Sequence, residues 1–442
     1  MGHPNCLVGT VFCLRPSGAP REAITCHEVT AQRARPAGQV CLVLWWNKLR
    51  VGRRTNLDFE ALKAAHEVAE GVPARMFRAP GRVNLVGEHT DYSGGFCMPA
   101  AINFETMIAA SLLAGRTLRL RSVDFNETVE VDLDALPPAR SHWSSYPLGV
   151  VWSLQQEGVA VPGAALTITG DVPQGAGLSS SASIEVATAT ALLALAGVEI
   201  PGPRLAKICQ RAENDYVGAP CGIMDQFISA NGAQGSALIL DTRALTFDLA
   251  PLPEHLRLVI CNSMVKHSVA EGGEYALVRQ QVEEGAAAIH AMKPSVKELR
   301  DATLEDLEAA KGTMSEAAYK RARHVITDSQ RVLDGAALLR AGDIVGFGKV
   351  LIDAHRSYRD DFEASCEECD VLQELGQGLK GCYGSRLTGG GFGGCTVNLV
   401  EAEDAESFVD AIRKGYFEKT GIEAEVYICS TADGASEMKG WE

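Results

Sequence analysis

The run Gly170-Asp-Val-Pro-Gln-Gly-Ala-Gly-Leu-Ser-Ser-Ser-Ala-Ser183 restricts what this chain can fold into more than any other segment. It follows a strand-like stretch carrying Leu166 and Ile168 and leads into an Ala-rich helix (Ile184, Ala187, Leu192, Leu195) that ends at Gly197. Small residues let a ligand approach the backbone closely. Ser179 to Ser183 present hydroxyls and free N–H groups at a helix N-terminus, which attracts anions through unpaired donors and the helix dipole. Taken alone, the segment reads equally as a phosphate cradle or as a flexible loop followed by serine caps. It is not a Walker A loop, because no GxxxxGK[ST] occurs in the chain.

Length and charge narrow the setting. A prior of about 100–200 residues per domain divides 442 residues into two or three domains. The net charge of −15 argues against a protein that coats nucleic acid or an anionic membrane, and no stretch approaches 18 apolar residues. Residues 1–54 differ from the rest, with eight Lys/Arg against Glu22 and Glu28 and no sustained period. They read as an irregular extension outside the fold. A targeting peptide and a start assigned too far upstream account for that composition equally well. The thirteen cysteines are odd in number and scattered, which points to reduced thiols in a cytosolic protein. Cys366 and Cys369 form a lone CxxC without a second pair, so incidental cysteines are the expected reading.

Beyond the extension, a helix capped by Asn56 or Asp58 precedes strand-like runs at 75–79, 82–86, 106–111, 117–123 and 128–133. Helices follow at 144–157 and 203–217 around the strand 165–169 and the Ala-rich helix. Strands are expected at 237–241 and 256–261, then helices at 276–292, 304–311, 315–341 and 342–356. The end returns to strands at 391–400 and 424–428 around a helix near 403–417. Interleaving without a regular βαβ alternation favours an α+β arrangement of two domains, 55–245 and 246–442.

Two further motifs carry chemistry. In Ala79-Pro-Gly-Arg-Val-Asn-Leu-Val-Gly-Glu-His-Thr-Asp-Tyr-Ser-Gly-Gly95, the groups Glu88, His89 and Asp91 sit at a spacing that suits the vicinal hydroxyls of a sugar. The same residues could be solvated charges in an exposed turn. Leu387-Thr-Gly-Gly-Gly-Phe-Gly-Gly-Cys395 formally matches GxGxxG, but a strand follows it where a dinucleotide site needs a helix. It reads instead as a tight loop whose backbone lies against a ligand or another segment. Between them, Cys221-Gly-Ile-Met-Asp-Gln-Phe227 places Asp225 at the start of a short helix, where a carboxylate can be a simple cap.

Together these segments resemble the galactokinase family of the GHMP kinases over roughly residues 57–432. Gly81-Arg-Val-Asn-Leu-Val-Gly-Glu-His-Thr-Asp-Tyr92 is similar to the family signature, Gly177-Leu-Ser-Ser-Ser-Ala182 to the phosphate loop, and Leu387 to Gly394 to the third motif. The resemblance implies a ribosomal protein S5 domain 2-like N-terminal domain and a ferredoxin-like C-terminal domain. It implies ATP and Mg²⁺ as cofactors, galactose as acceptor, and a cytoplasmic monomer. By position, Asp225 and Arg82 match catalytic residues, and Ser181 and Glu213 match Mg²⁺ ligands. Arg82, Glu88, His89, Asp91, Gly222, Asp225 and Tyr275 match sugar contacts. Trp143, Gly175, Gly177, Leu178, Ser179, Ser180, Ser181 and Ala182 match nucleotide contacts. The run Glu271-Gly-Gly-Glu-Tyr275 has Gly where relatives commonly carry Ser, which keeps Tyr275 in place but changes the expected local loop shape. The signature reads hydroxyls and not the C2 substituent, so N-acetylgalactosamine competes as acceptor. A non-catalytic galactose sensor is disfavoured by the intact phosphate loop. A cation beside Asp225 makes it a poorer base, which favours orienting the nucleophile over deprotonating it early.

Overall fold

The computed structural model describes residues 58–266 and 274–438, so the basic extension lies outside the described residues. Helix α1 (Phe59–Glu70) starts at Asp58, whose carboxylate accepts the Ala61 N–H at 3.0 Å, and stops at Gly71 in the left-handed region. Strand β1 (Arg75–Asn84) is continuous where the sequence suggests two strands. Pro80 and Gly81 instead produce a register shift within one strand.

A six-stranded sheet runs in the order β13 (Ser436–Glu437), β1, β3 (Pro99–Leu112), β6 (Ala164–Gly170), β4 (Thr117–Ser122) and β5 (Glu127–Asp132). Among the described strands only β4 and β6 pair in parallel. Helices α2 (Ser145–Gln156), α3 (Ser180–Ala196), α4 (Gly202–Arg211) and α5 (Met224–Asn231) belong to this half, with α3 packed on β1 and β3. A small sheet joins β2 (Phe96–Cys97), β7 (Ser236–Asp241) and β8 (Thr246–Pro251), so residue 245 falls in the turn of a hairpin.

The second large sheet has the order β10 (Cys382–Thr388), β11 (Gly393–Glu401), β9 (Leu256–Lys266) and β12 (Glu425–Cys429), all antiparallel. Helices α6 (Glu274–Met292), α7 (Leu304–Ala310), α8 (Glu316–Arg340), α9 (Ile344–Asp360) and α10 (Glu367–Gly378) separate β9 from β10, and α11 (Ala405–Thr420) separates β11 from β12. A β-α-β-β-α-β path in this strand order is ferredoxin-like. β10 is absent from the sequence reading because Gly384 interrupts its apolar pattern. The glycine-rich motif therefore turns out to be the loop of a hairpin rather than the lead-in to a lone strand.

One core joins the halves, packing Val83, Leu85, Met98 and Leu178 with Ile260, Phe347, Leu351 and Val397. At Gly348 and Gly384, helix α9 meets β10 backbone to backbone. A Cβ at Gly348 would stand 2.0 Å from the Tyr383 carbonyl oxygen, and one at Gly384 would stand 2.4 Å from the Gly348 carbonyl oxygen. Ala normally stabilises a helix interior over Gly by roughly 0.5–1 kcal/mol, but the sign should invert here. Gly348→Ala is expected to lower stability by about 2 kcal/mol through overpacking, read as the urea midpoint. A midpoint at or above wild type would contradict this packing.

Candidate active site

Arg82 lies just past the irregularity in β1, and its side chain is almost wholly buried. Its Nε donates to Asp225 Oδ1 at 2.7 Å, Nη2 to Asp225 Oδ2 at 2.5 Å, and Nη1 to the Gly177 carbonyl at 2.5 Å. Ser179 Oγ also donates to Asp225 Oδ2. This bidentate pair fastens β1 to the Gly/Ser loop and to the first turn of α5. Gly81 makes room for it, since a Cβ there would stand 2.7 Å from the Leu178 carbonyl oxygen, which accepts the Arg82 N–H at 3.1 Å.

The loop reaches this position through left-handed residues, Gly175 (φ 67°), Gly177 (φ 74°) and Ser179 (φ 61°). Helix α3 then begins at Ser180 with no side-chain cap, because the Ser179 hydroxyl is turned to Asp225. Its first-turn N–H groups remain available to an anion. Ser180 and Ser181 line a cavity of about 720 Å³ together with Thr106, Phe125, Trp143 and Tyr146. Trp143 stacks on Phe125 and donates from Nε1 to Glu127 at 2.9 Å. Leu178 and Ala182 are buried and serve packing.

Glu213 sits on a wide turn (212–217) that prolongs α4 by a single π-helical turn, an irregularity often found at functional sites. Its carboxylate accepts from Gln226 Nε2 at 2.6 Å, and the Ser181 side chain lies close enough to oppose the rise in its pKa. Gln226 Nε2 also donates to the buried Glu185 at 3.1 Å. Burial, then the Asp225 charge, pushes the Glu213 carboxyl up to about 7. The same two causes, with Glu213 as the main charge, hold Glu185 well above the carboxylate range.

The sugar signature faces this group from the other side. Asp91 Oδ2 accepts the Met224 N–H at 3.3 Å, and a Cβ on Gly222 would stand 1.6 Å from the same oxygen. Gly222 therefore lets Asp91 reach α5 beside Asp225. Burial, then the Asp225 charge, raises Asp91 to about 6. Glu88 is buried, with Oε1 accepting the Gly389 N–H at 2.8 Å and lying 3.5 Å from Arg386 Nη1. Burial raises its carboxyl, while Arg386 and that N–H oppose the shift. His89 (φ 57°) engages the Tyr92 hydroxyl at 2.9 Å and the Tyr358 hydroxyl at 3.1 Å. Burial pushes it down to about 3, so it is neutral. The Tyr275 side chain lies outside the described residues.

Sequence reasoning missed the groups that hold these residues. Asp328 and His324 of α8 bond the backbone of the signature, Arg386 lies under Glu88, and Gln226 links two glutamates. The polar pair at i and i+4 within the otherwise core-facing stretch 322–332 is the signal that was available.

The fold and the two glycine-rich loops define a kinase of the GHMP class. Family models for the GHMP kinases N terminal domain and GHMP kinases C terminal match residues 145–233 and 336–418, and the galactokinase galactose-binding signature matches 64–112. A crystal structure of mevalonate kinase shares the fold (TM-score 0.57, 18% identity, 81% of this chain and 99% of that one). The likeness is fuller to the Lactococcus lactis galactokinase complexed with galactose, at TM-score 0.82 and 31% identity over 86% of this chain and 99% of that one. Galactokinases of Roseiflexus sp. (strain RS-1) and Homo sapiens are each 40% identical, covering 86% and 88% of this chain and 98% and 99% of the relatives. The chain belongs to the galactokinase family.

Glu213 carries a testable cost. Its folded-state pKa of about 7 lies above its ordinary 4.5, so its stabilising contribution is complete below pH 4.5 and is lost as pH rises through 7. Glu213→Gln keeps an acceptor for Gln226. It is expected to stabilise the free protein by roughly 1–3 kcal/mol at pH 8 but little at pH 5, in urea unfolding. Equal effects at both pH values would show that Glu213 is not held protonated.

Proposed function

We propose that this kinase transfers the γ-phosphate of ATP to the C1 hydroxyl of galactose. The observation that carries the reading is the placement of the Arg82–Asp225 pair. Ser179, at the open start of α3 beside the cavity, donates to Asp225, and Asp91 accepts the N–H of the neighbouring Met224. Phosphoryl transfer needs positioning and charge stabilisation more than covalent chemistry, and this arrangement offers both.

In this reading Trp143 and Phe125 border the base, while residues 175–182 and the α3 N-terminus hold the phosphates. Glu88, His89, Asp91, Gly222 and Tyr275 shape the sugar site. Asp225 accepts the C1 hydroxyl as a hydrogen-bond donor and fixes its direction. Because Arg82 grips both carboxylate oxygens, Asp225 acts chiefly by orientation, and the guanidinium also faces the charge that develops on the transferred group. Ser181 and Glu213, a hydroxyl beside a carboxylate, form a hard oxygen pair that fits Mg²⁺ once phosphate oxygens and water complete the shell. When bound, Mg²⁺ neutralises phosphate charge. The nine cysteines among the described residues are free thiols, which suits the reducing cytosol, and no described helix is long and apolar enough to cross a membrane.

ADP release with Mg·ATP is expected with galactose and not with glucose or without sugar. Turnover confined to N-acetylgalactosamine would move the substrate and keep the kinase. Asp225→Asn is expected to lower kcat by on the order of 10²–10⁴ while the protein still folds cooperatively. Near-normal turnover would remove Asp225 from its assigned role.

A further inference from the structure

The backbone that presents Glu88 is held locally only at the Gly87 carbonyl, which accepts the Thr90 hydroxyl at 2.9 Å, and its other polar groups turn to a distant helix. Asp328, in the middle of α8, is fully buried, and its Oδ2 accepts both the Gly87 N–H at 2.9 Å and the Glu88 N–H at 3.0 Å. One turn earlier, His324 Nε2 lies 3.2 Å from the Glu88 carbonyl oxygen, and His324 Nδ1 is satisfied by the Ser357 hydroxyl at 3.0 Å. Both polar groups of the Glu88 peptide are thus taken by one helix more than 230 residues away in sequence. The remaining Asp328 oxygen meets Arg331 Nη1 at 3.2 Å.

The steric fit agrees with the hydrogen bonds. Gly87 has φ 88°, and a Cβ there would stand 2.5 Å from the Phe96 carbonyl oxygen and 2.8 Å from Val332 of the same helix face. A Cβ on Gly95 would stand 2.7 Å from Ser329 Oγ. Residues 324, 328, 329 and 332 therefore form a cradle against which the loop is pressed. A buried carboxylate is expensive unless its oxygens are hydrogen-bonded, and both oxygens of Asp328 are engaged.

We infer that Asp328 is a positioning residue for the sugar acceptor, fixing the 87–88 peptide so that Glu88 and Asp91 face the C1 hydroxyl's ring. The inference rests on the galactose reading above. A residue that acts only on this loop should change sugar recognition and leave the nucleotide half alone.

The test compares wild type, Asp328→Ala and Asp328→Asn by steady-state kinetics in galactose and in ATP. Loss of two charge-assisted hydrogen bonds in Asp328→Ala is expected to raise the galactose KM about tenfold or more, with the ATP KM and kcat at saturating sugar unchanged. Asp328→Asn retains one oxygen for both N–H groups and should recover most of the sugar affinity. An unchanged galactose KM in Asp328→Ala, or equal losses in both substrates, would overturn the inference. Removing a buried charge can prevent folding, so amide hydrogen exchange of Gly87 and Glu88 in wild type supplies a second readout. Slow exchange supports the clamp and fast exchange of either amide overturns it. If wild type does not turn over galactose, the substrate reading falls and this inference falls with it. If wild type turns over galactose and the variants behave like it, only this inference falls.

Discussion

Because the Arg82 guanidinium has almost no access to water, each of its nitrogens must find a protein acceptor, and the acceptors it finds set the site. They come from Asp225 and from the Gly177 carbonyl, so one side chain fixes the separation of the phosphate loop, the α5 turn and β1. The glycines follow from this demand. Gly81 must lack a side chain for β1 to lie against Leu178, and Gly177 must adopt a left-handed conformation for its carbonyl to turn inward. The serines follow as well. Ser179 gives its hydroxyl to Asp225, which leaves the start of α3 without a cap.

Once those distances are fixed, the site is crowded with acids. Asp91, Glu213 and Glu185 are each raised by burial and by neighbouring carboxylates, whereas the buried cations Arg82 and Arg386 lie against Asp225 and Glu88 instead. Such an arrangement opposes folding at neutral pH and is maintained only because the surrounding core over-determines it. In the proposed reaction its use is preorganisation. Groups that already stand in place need no rearrangement when charge develops in the reaction. Asp328 shows the opposite balance. Burial disfavours its charge, but His324, Arg386 and Arg331 outweigh burial and keep it below the ordinary carboxylate range.

The elements of the fold were largely legible because their signals are local. Asp58 as a cap, the Ala-rich helix behind the serines and the amphipathic α8 and α9 all declare themselves within a dozen residues. β8 and β10 did not. The first is an exposed edge strand, and the second carries Gly384 where α9 comes too close for a side chain. The site was legible by motif but not by partnership. Asp225 reads as an ordinary helix cap until Arg82, 143 positions away, is seen to hold both of its oxygens. Glu88 reads as a solvated turn residue until the Gly389 N–H and Arg386 are placed beneath it. Nothing in a period of 2 or 3.6 encodes such pairings, because they depend on how two halves of the chain are laid together.

The third glycine-rich motif shows how that laying-together is gauged. Gly389, Gly391 and Gly394 all have positive φ, and a Cβ on Gly391 would stand 2.5 Å from the Ala364 carbonyl oxygen and 2.7 Å from the Tyr358 hydroxyl. A Cβ on Gly389 would stand 3.3 Å from the Gly177 carbonyl oxygen, so this loop also abuts the phosphate loop. Tyr358 donates to the Gly389 carbonyl at 3.0 Å and meets His89 at 3.1 Å, which connects the motif to the sugar signature. The glycines of the motif touch both loops through backbone, and the Thr388 hydroxyl adds bonds to the Asn84 N–H and carbonyl, each at 3.0 Å. The motif acts as a spacer of fixed thickness between the phosphate loop and the Glu88 loop. A spacer of bare backbone is the thinnest a polypeptide can build, which explains why glycine recurs there and why the segment imitates a dinucleotide fingerprint without being one.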